Sequence, residues 1–82
     1  MREAQRLKAA GYKRGFPDVF LYEPRGEWHG LAIELKREKG GRVSAHQKEW
    51  IERLIARGYR AEVAKGFDHA VAIVREYLRD PS

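Results

Sequence analysis

The sequence predicts an α/β fold, a mixed β-sheet flanked by helices, and three observations carry that reading. Residues 31–36, Leu-Ala-Ile-Glu-Leu-Lys, alternate with period two, so Leu31, Ile33 and Leu35 share one face and Ala32, Glu34 and Lys36 the other. Trp50, Ile51, Leu54 and Ile55 recur at helical spacing. A further β-rich run, Ala61-Glu62-Val63-Ala64, follows that helix and therefore returns parallel to the preceding strand by a right-handed crossover.

The elements follow in the order helix, strand, strand, helix, strand, helix. Residues 2–10 are helix-forming and stop at Gly11, a residue suited to a C-terminal cap. Lys13-Arg14-Gly15 makes a basic turn into Pro17-Asp18, and Val19-Phe20-Leu21-Tyr22 reads as the first strand. A hairpin through Pro24-Arg25-Gly26-Glu27 would pair it with residues 31–36. The glycine-bearing stretch 37–42 is a loop, and Ser44 is a natural N-cap with Gln47 three residues on to complete a capping box. Gly58 closes that helix. Phe67, Ala70, Val71, Val74, Tyr77 and Leu78 then form the apolar face of a last helix, ended by Pro81.

At 82 residues the chain is expected to form one small domain, 1–82, without repeats, linkers or low-complexity segments. A domain of this size buries only about 60–65% of its unfolded surface, so the isolated chain is marginal and a homodimer is one way to cover an exposed sheet edge. The absence of cysteine excludes disulfides and thiolate zinc sites. His29, His46 and His69 lack the close spacing of a metal-binding pair. No apolar run approaches the length of a membrane span and no signal peptide precedes the first charges, so a cytoplasmic setting without a membrane is expected. Seventeen Lys and Arg against 12 Asp and Glu give a net charge of +5 and a pI near 9.8. Such a surface suits a polyanionic partner, with binding that weakens as salt rises, although small soluble domains are often basic as well.

The chemistry concentrates in two stretches, Pro17-Asp18 and Glu34-Leu35-Lys36. If the two strands pair as a hairpin, Asp18 lies within reach of Glu34, with Ala32 beside them leaving room for a ligand. Two carboxylates offer oxygen ligands to a divalent cation, and a neighbouring ammonium can steer water towards a phosphate. An Asp after Pro also serves ordinary turns, and a Glu-x-Lys triplet also decorates solvated strands. Here the charges are embedded in apolar runs, where solvated decoration is not expected.

Gly15-Phe16-Pro17-Asp18, then Glu34-Leu35-Lys36, then Gly40-Gly41-Arg42-Val43-Ser44 with Gln47 resembles the VRR-NUC branch of the PD-(D/E)xK nuclease superfamily, most closely its small stand-alone phage and bacterial members. The resemblance spans nearly the whole chain, from the Glu3-Ala4-Gln5-Arg6-Leu7-Lys8 helix to Gly58-Tyr59-Arg60-Ala61. It implies a restriction-endonuclease-like α-β-β-α-β-α core and a metal-dependent endonuclease. Asp18, Glu34 and the backbone carbonyl of Leu35 would hold Mg2+ or Mn2+, Lys36 would orient the attacking water, and Gln47 would stand near the site. Family members usually carry a further acidic helix and a strand ahead of the segment that opens here at Met1, and Glu3 is a poor substitute for that acid. A shortened form, a contribution from another chain, and a dispensable third carboxylate are all compatible with this.

Lys13, Arg14, Lys39 and Arg42 flank the site in two loops and are candidate phosphate contacts as well as ordinary solvated charges. Nothing in the sequence reads base edges, so recognition of DNA shape or branching, at junctions or flaps, is expected over recognition of sequence, with no small-molecule cofactor. The alternative is a catalytically impaired, structure-selective DNA-binding module. A hydrolase of other phosphate esters is a third reading, which the positive charge disfavours.

Overall fold

The structure is a computed structural model in which residues 15–79 are described. Strands β1 (Val19–Leu21), β2 (Leu31–Lys36) and β3 (Arg60–Lys65) form a sheet in the order β1-β2-β3, with helices α1 (Ala45–Ala56) and α2 (Phe67–Arg79). β1 runs antiparallel to β2 with Val19 opposite Ile33 and Leu21 opposite Leu31. β3 runs parallel to β2, from Leu31 opposite Arg60 to Lys36 opposite Lys65. The mixed sheet and the helix between its parallel strands are those expected from the sequence. The expected helix over residues 2–10 and the stop at Pro81 lie outside the described residues.

Alternation along β2 separates two apolar clusters. Leu31 and Ile33 pack with Ala64, Ile73 and Tyr77, so α2 covers that face; Ala32 packs with Ala61 and Leu54, so α1 covers the other. Full burial of each Leu or Ile contributes about 1.5–3 kcal/mol. Tyr77 is fully buried, and its hydroxyl donates to the Glu23 carbonyl at 2.6 Å, pinning the β1–β2 connection onto α2. Arg60 ties β3 to α2 through Glu76, while Glu62 on its own strand holds the same guanidinium.

The caps are as the sequence predicts. Ser44 Oγ accepts from Gln47 N–H at 3.1 Å while Gln47 Oε1 accepts from Ser44 N–H at 2.8 Å, a complete capping box for α1. Gly58 follows α1 with φ +92°, a conformation that favours glycine.

Several expectations need correction. β1 ends at Leu21, leaving Tyr22 exposed, and the tight turn is Arg25–Trp28, joined by hydrogen bonds in both directions, rather than Pro24–Glu27. β3 extends one residue beyond 61–64 at each end. Ile55 and Leu78 lie at the margins of their helix faces and are partly exposed, and Phe67 is 79% exposed. Ile73, absent from the expected stripe, is buried in its place.

Candidate active site

Burial along β2 is uneven: Leu31 to Glu34 are buried, Leu35 is exposed, and Lys36 is again partly covered. Glu34 is therefore a carboxylate in the sheet's interior, 3% exposed, on the face covered by α1. Its Oε2 accepts from Gln47 Nε2 at 2.8 Å, and Lys36 Nζ stands 3.6 Å from the same oxygen. Its Oε1 is buried and has no hydrogen-bond partner. Burial first, then the charge of Asp18 and the hydrogen bond to it that only a protonated Glu34 can make, push the Glu34 carboxyl up to about 7, against the opposing pull of Lys36.

Asp18 arrives from the other strand. β1 pairs only as far as Val19 opposite Ile33, and Pro17, which has no N–H, cannot extend the ladder. The next outward-facing group of β2, Leu35 N–H, donates instead to Asp18 Oδ2 at 2.8 Å. The Gly30 and Lys36 carbonyls accept from Arg60 and Gly66 on the β3 side. The backbone groups of Leu35, odd-numbered along the same strand, consequently face the β1 side, where Asp18 lies. The Leu35 carbonyl thus shares the side of Asp18, while its side chain emerges on the opposite face of the sheet.

Two glycines shape this corner. A Cβ on Gly15, at φ +84°, would lie 2.6 Å from the His46 backbone, so only glycine lets the segment before Pro17 press against the start of α1. A Cβ on Gly41 would lie 2.9 Å from Lys36 Cβ, so the β2–α1 loop folds directly against the lysine's stem. Both belong to the glycine-bearing stretches 15–18 and 40–44, yet neither close approach is visible without the tertiary contacts.

Five of the expected site residues, Asp18, Glu34, Leu35, Lys36 and Gln47, are therefore gathered at one corner. Lys39 and Arg42 occupy the exposed β2–α1 loop and form no ion pair among the described residues. Lys13 and Arg14 lie outside the described residues. Among the described residues no group of three or more His, Cys, Asp or Glu side chains comes together, so the corner offers two carboxylates. These residues fit a divalent cation: the partnerless Glu34 oxygen lacks a positive partner, and the adjacent Asp18 carboxylate raises the cost of ionising Glu34 without one. No described helix is long and apolar enough to cross a membrane.

Comparison with known proteins bears on this corner. The model of the VRR-NUC domain matches residues 2–68. A solved structure described as a VRR_NUC domain protein superimposes with a TM-score of 0.86 at 39% identity, covering 98% of this chain and 66% of that one. Among curated proteins no match is found. With a family match over most of its length and a solved relative of the same architecture, the chain belongs to the VRR-NUC family and has its nuclease-family fold.

Proposed function

We propose that the chain is a divalent-metal-dependent endonuclease that hydrolyses phosphodiester bonds of DNA and selects its substrate by structure rather than by sequence. The observation that carries this reading is the buried Glu34 oxygen without a partner, next to a second carboxylate and an ammonium. Asp18, Glu34 and the Leu35 carbonyl would hold Mg2+ or Mn2+. When bound, such an ion lowers the pKa of a coordinated water and neutralises charge developing on the phosphate. Lys36, 3.6 Å from Glu34, sits where an ammonium can orient the attacking water or stabilise negative charge on the phosphate. Gln47 holds Glu34 Oε2 by its amide and leaves Oε1 available. Lys13, Arg14, Lys39 and Arg42 are the phosphate contacts of this reading.

A bacterial or phage-infected cytoplasm is the proposed setting. A homodimer belongs to the same reading, because Val19, Leu35 and Phe67 leave apolar surface exposed beside β1. Light scattering that returns the mass of a single chain would remove that part.

The test is cleavage of labelled duplex, single strand, flap and four-way junction in Mn2+, beside Asp18→Asn. Asparagine keeps an acceptor for Leu35 N–H but loses the charge, so the variant is expected to stay folded and lose activity by more than ~100-fold. Equal cleavage by both proteins would sink the metal site. Binding without cleavage by the parent would favour the DNA-binding module, and even cleavage across the panel would remove structure selectivity.

A further inference from the structure

Parallel strands bring their C-terminal ends to one rim of the sheet, and β2 and β3 end there on Lys36 and Lys65, which are direct register partners. Ala61 packs on the α1 face and Ala64 on the α2 face, so alternation places Lys65 with Ala61, on the side of Ala32, Glu34 and Lys36. Neighbouring strands lie about 4.8 Å apart, and like charges directly opposite one another are destabilising.

The two lysines differ in what they do. Lys36 turns towards Glu34 and is largely covered. Lys65 is exposed and forms no ion pair among the described residues. Its backbone N–H is taken up by His69 Nδ1 at 2.9 Å, which fixes the strand end while leaving the ammonium free. Helix α1 also opens over this rim, as the Gln47–Glu34 bond shows, and it carries no acidic residue in its first turn. No acidic residue of the helix's own first turn therefore offsets its N-terminal partial positive charge. Glu38 borders the rim, with its Cγ 3.5 Å from where a Cβ on Gly66 would stand, and it makes no ion pair with Lys65.

We propose that Lys65 is a phosphate contact for the DNA strand, holding a phosphate next to the one at Glu34 and Asp18; this rests on the nuclease reading above. Lys65 lies two residue steps and one strand spacing from Glu34, about 6.6 Å along and about 4.8 Å across, a separation that a flexible lysine spans. A polyanion satisfies both lysines at once, which relieves their mutual repulsion and leaves Lys36 with the reacting group. Lys65 is thus a binding and positioning residue rather than a catalytic one.

The experiment measures DNA affinity in EDTA across a salt series, and cleavage kinetics in Mn2+, for the parent, Lys65→Ala, Lys65→Arg and Arg57→Ala. Arg57 is an exposed cation at the far end of α1 and serves as the control. Lys65→Ala is expected to weaken binding by roughly 3–10-fold at low salt and to reduce the slope of log K against log salt by about 0.9. It should raise KM with kcat held within about two-fold. Lys65→Arg should restore the slope, Arg57→Ala should match the parent, and equal melting temperatures confirm that all are folded. A parental slope and KM in Lys65→Ala would overturn the proposal, as would a fall in kcat at unchanged KM. A parent that neither binds nor cleaves DNA would overturn the nuclease reading instead, and this one with it.

Discussion

The side-chain amide of Gln47 joins the end of helix α1 to the buried carboxylate of Glu34: its Nε2 donates to Glu34 Oε2 at 2.8 Å while its Oε1 accepts from Ser44 N–H at 2.8 Å. A capping box ordinarily accepts either Glu or Gln at this position. Here only Gln serves, because a carboxylate would cap the helix and repel Glu34. Gln47→Glu should keep stability within about 1 kcal/mol of the parent and reduce metal-dependent cleavage by about 10–100-fold. Gln47→Ala should lose both, with about 0.5–2 kcal/mol of stability gone. Thermal melts beside cleavage rates check the pair, and full activity in Gln47→Glu would refute the double role.

The raised pKa of Glu34 has a sign that can be followed. Its folded value of about 7 exceeds the ordinary 4.5, so without metal the fold favours the protonated form. That contribution is fully present below the unfolded pKa of 4.5 and is lost as pH rises through about 7. Each unit of difference corresponds to about 1.4 kcal/mol. Metal-free protein should therefore melt at lower temperature near pH 8 than near pH 5.5, by an amount that Glu34→Gln removes. Added Mg2+ should protect most at the higher pH, because it competes with the proton. Calorimetry across that range decides, and a melting temperature that rises with pH in EDTA would contradict the assignment.

Lys36→Ala separates chemistry from binding. Because Lys36 is directed at Glu34 and largely covered, its removal should abolish cleavage and leave DNA affinity within a few-fold. Gel-shift titration is the check, and a strong loss of binding would make Lys36 a phosphate anchor.

Burial ranks two aromatic truncations. Tyr77 is fully buried and hydrogen-bonded, and its replacement by alanine should cost about 3–5 kcal/mol, enough to unfold a small domain. Trp50 packs nearly perpendicular to Phe16, ring centroids 5.0 Å apart, and lies under Arg53, half-buried. The helical stripe alone would make it an equally critical core residue, but Trp50→Ala should cost less than Tyr77→Ala and leave a folded protein. Urea denaturation of both variants gives the order.

What the sequence discloses of the site is what depends on local period. The alternation of residues 31–36 puts Glu34 beside Lys36, and the spacing from Ser44 to Gln47 announces a cap. What it conceals depends on long-range register: that Lys65 falls opposite Lys36, that Gly41 touches the stem of Lys36, and that Gly15 meets His46. The helix faces depart from the periodic pattern at their margins, for a geometric reason. Among the described residues the sheet has three strands and is narrow; Ile55 is exposed on the flank of α1, and α2 starts at the rim, where Phe67 is exposed. Ile73 lies one turn before Tyr77, on the strip that does meet the sheet.

The early stop of β1 sets how this corner can be altered or transplanted. Asp18 reaches Leu35 because the ladder ends at Val19 and Pro17 cannot prolong it. One residue inserted between Asp18 and Val19 would turn the carboxylate towards the opposite side of the strand, however faithful the rest of the sequence. The corner therefore tolerates changes of identity around it better than changes of length within it. Grafting it onto another sheet requires copying the place where pairing ceases, together with the carboxylates themselves.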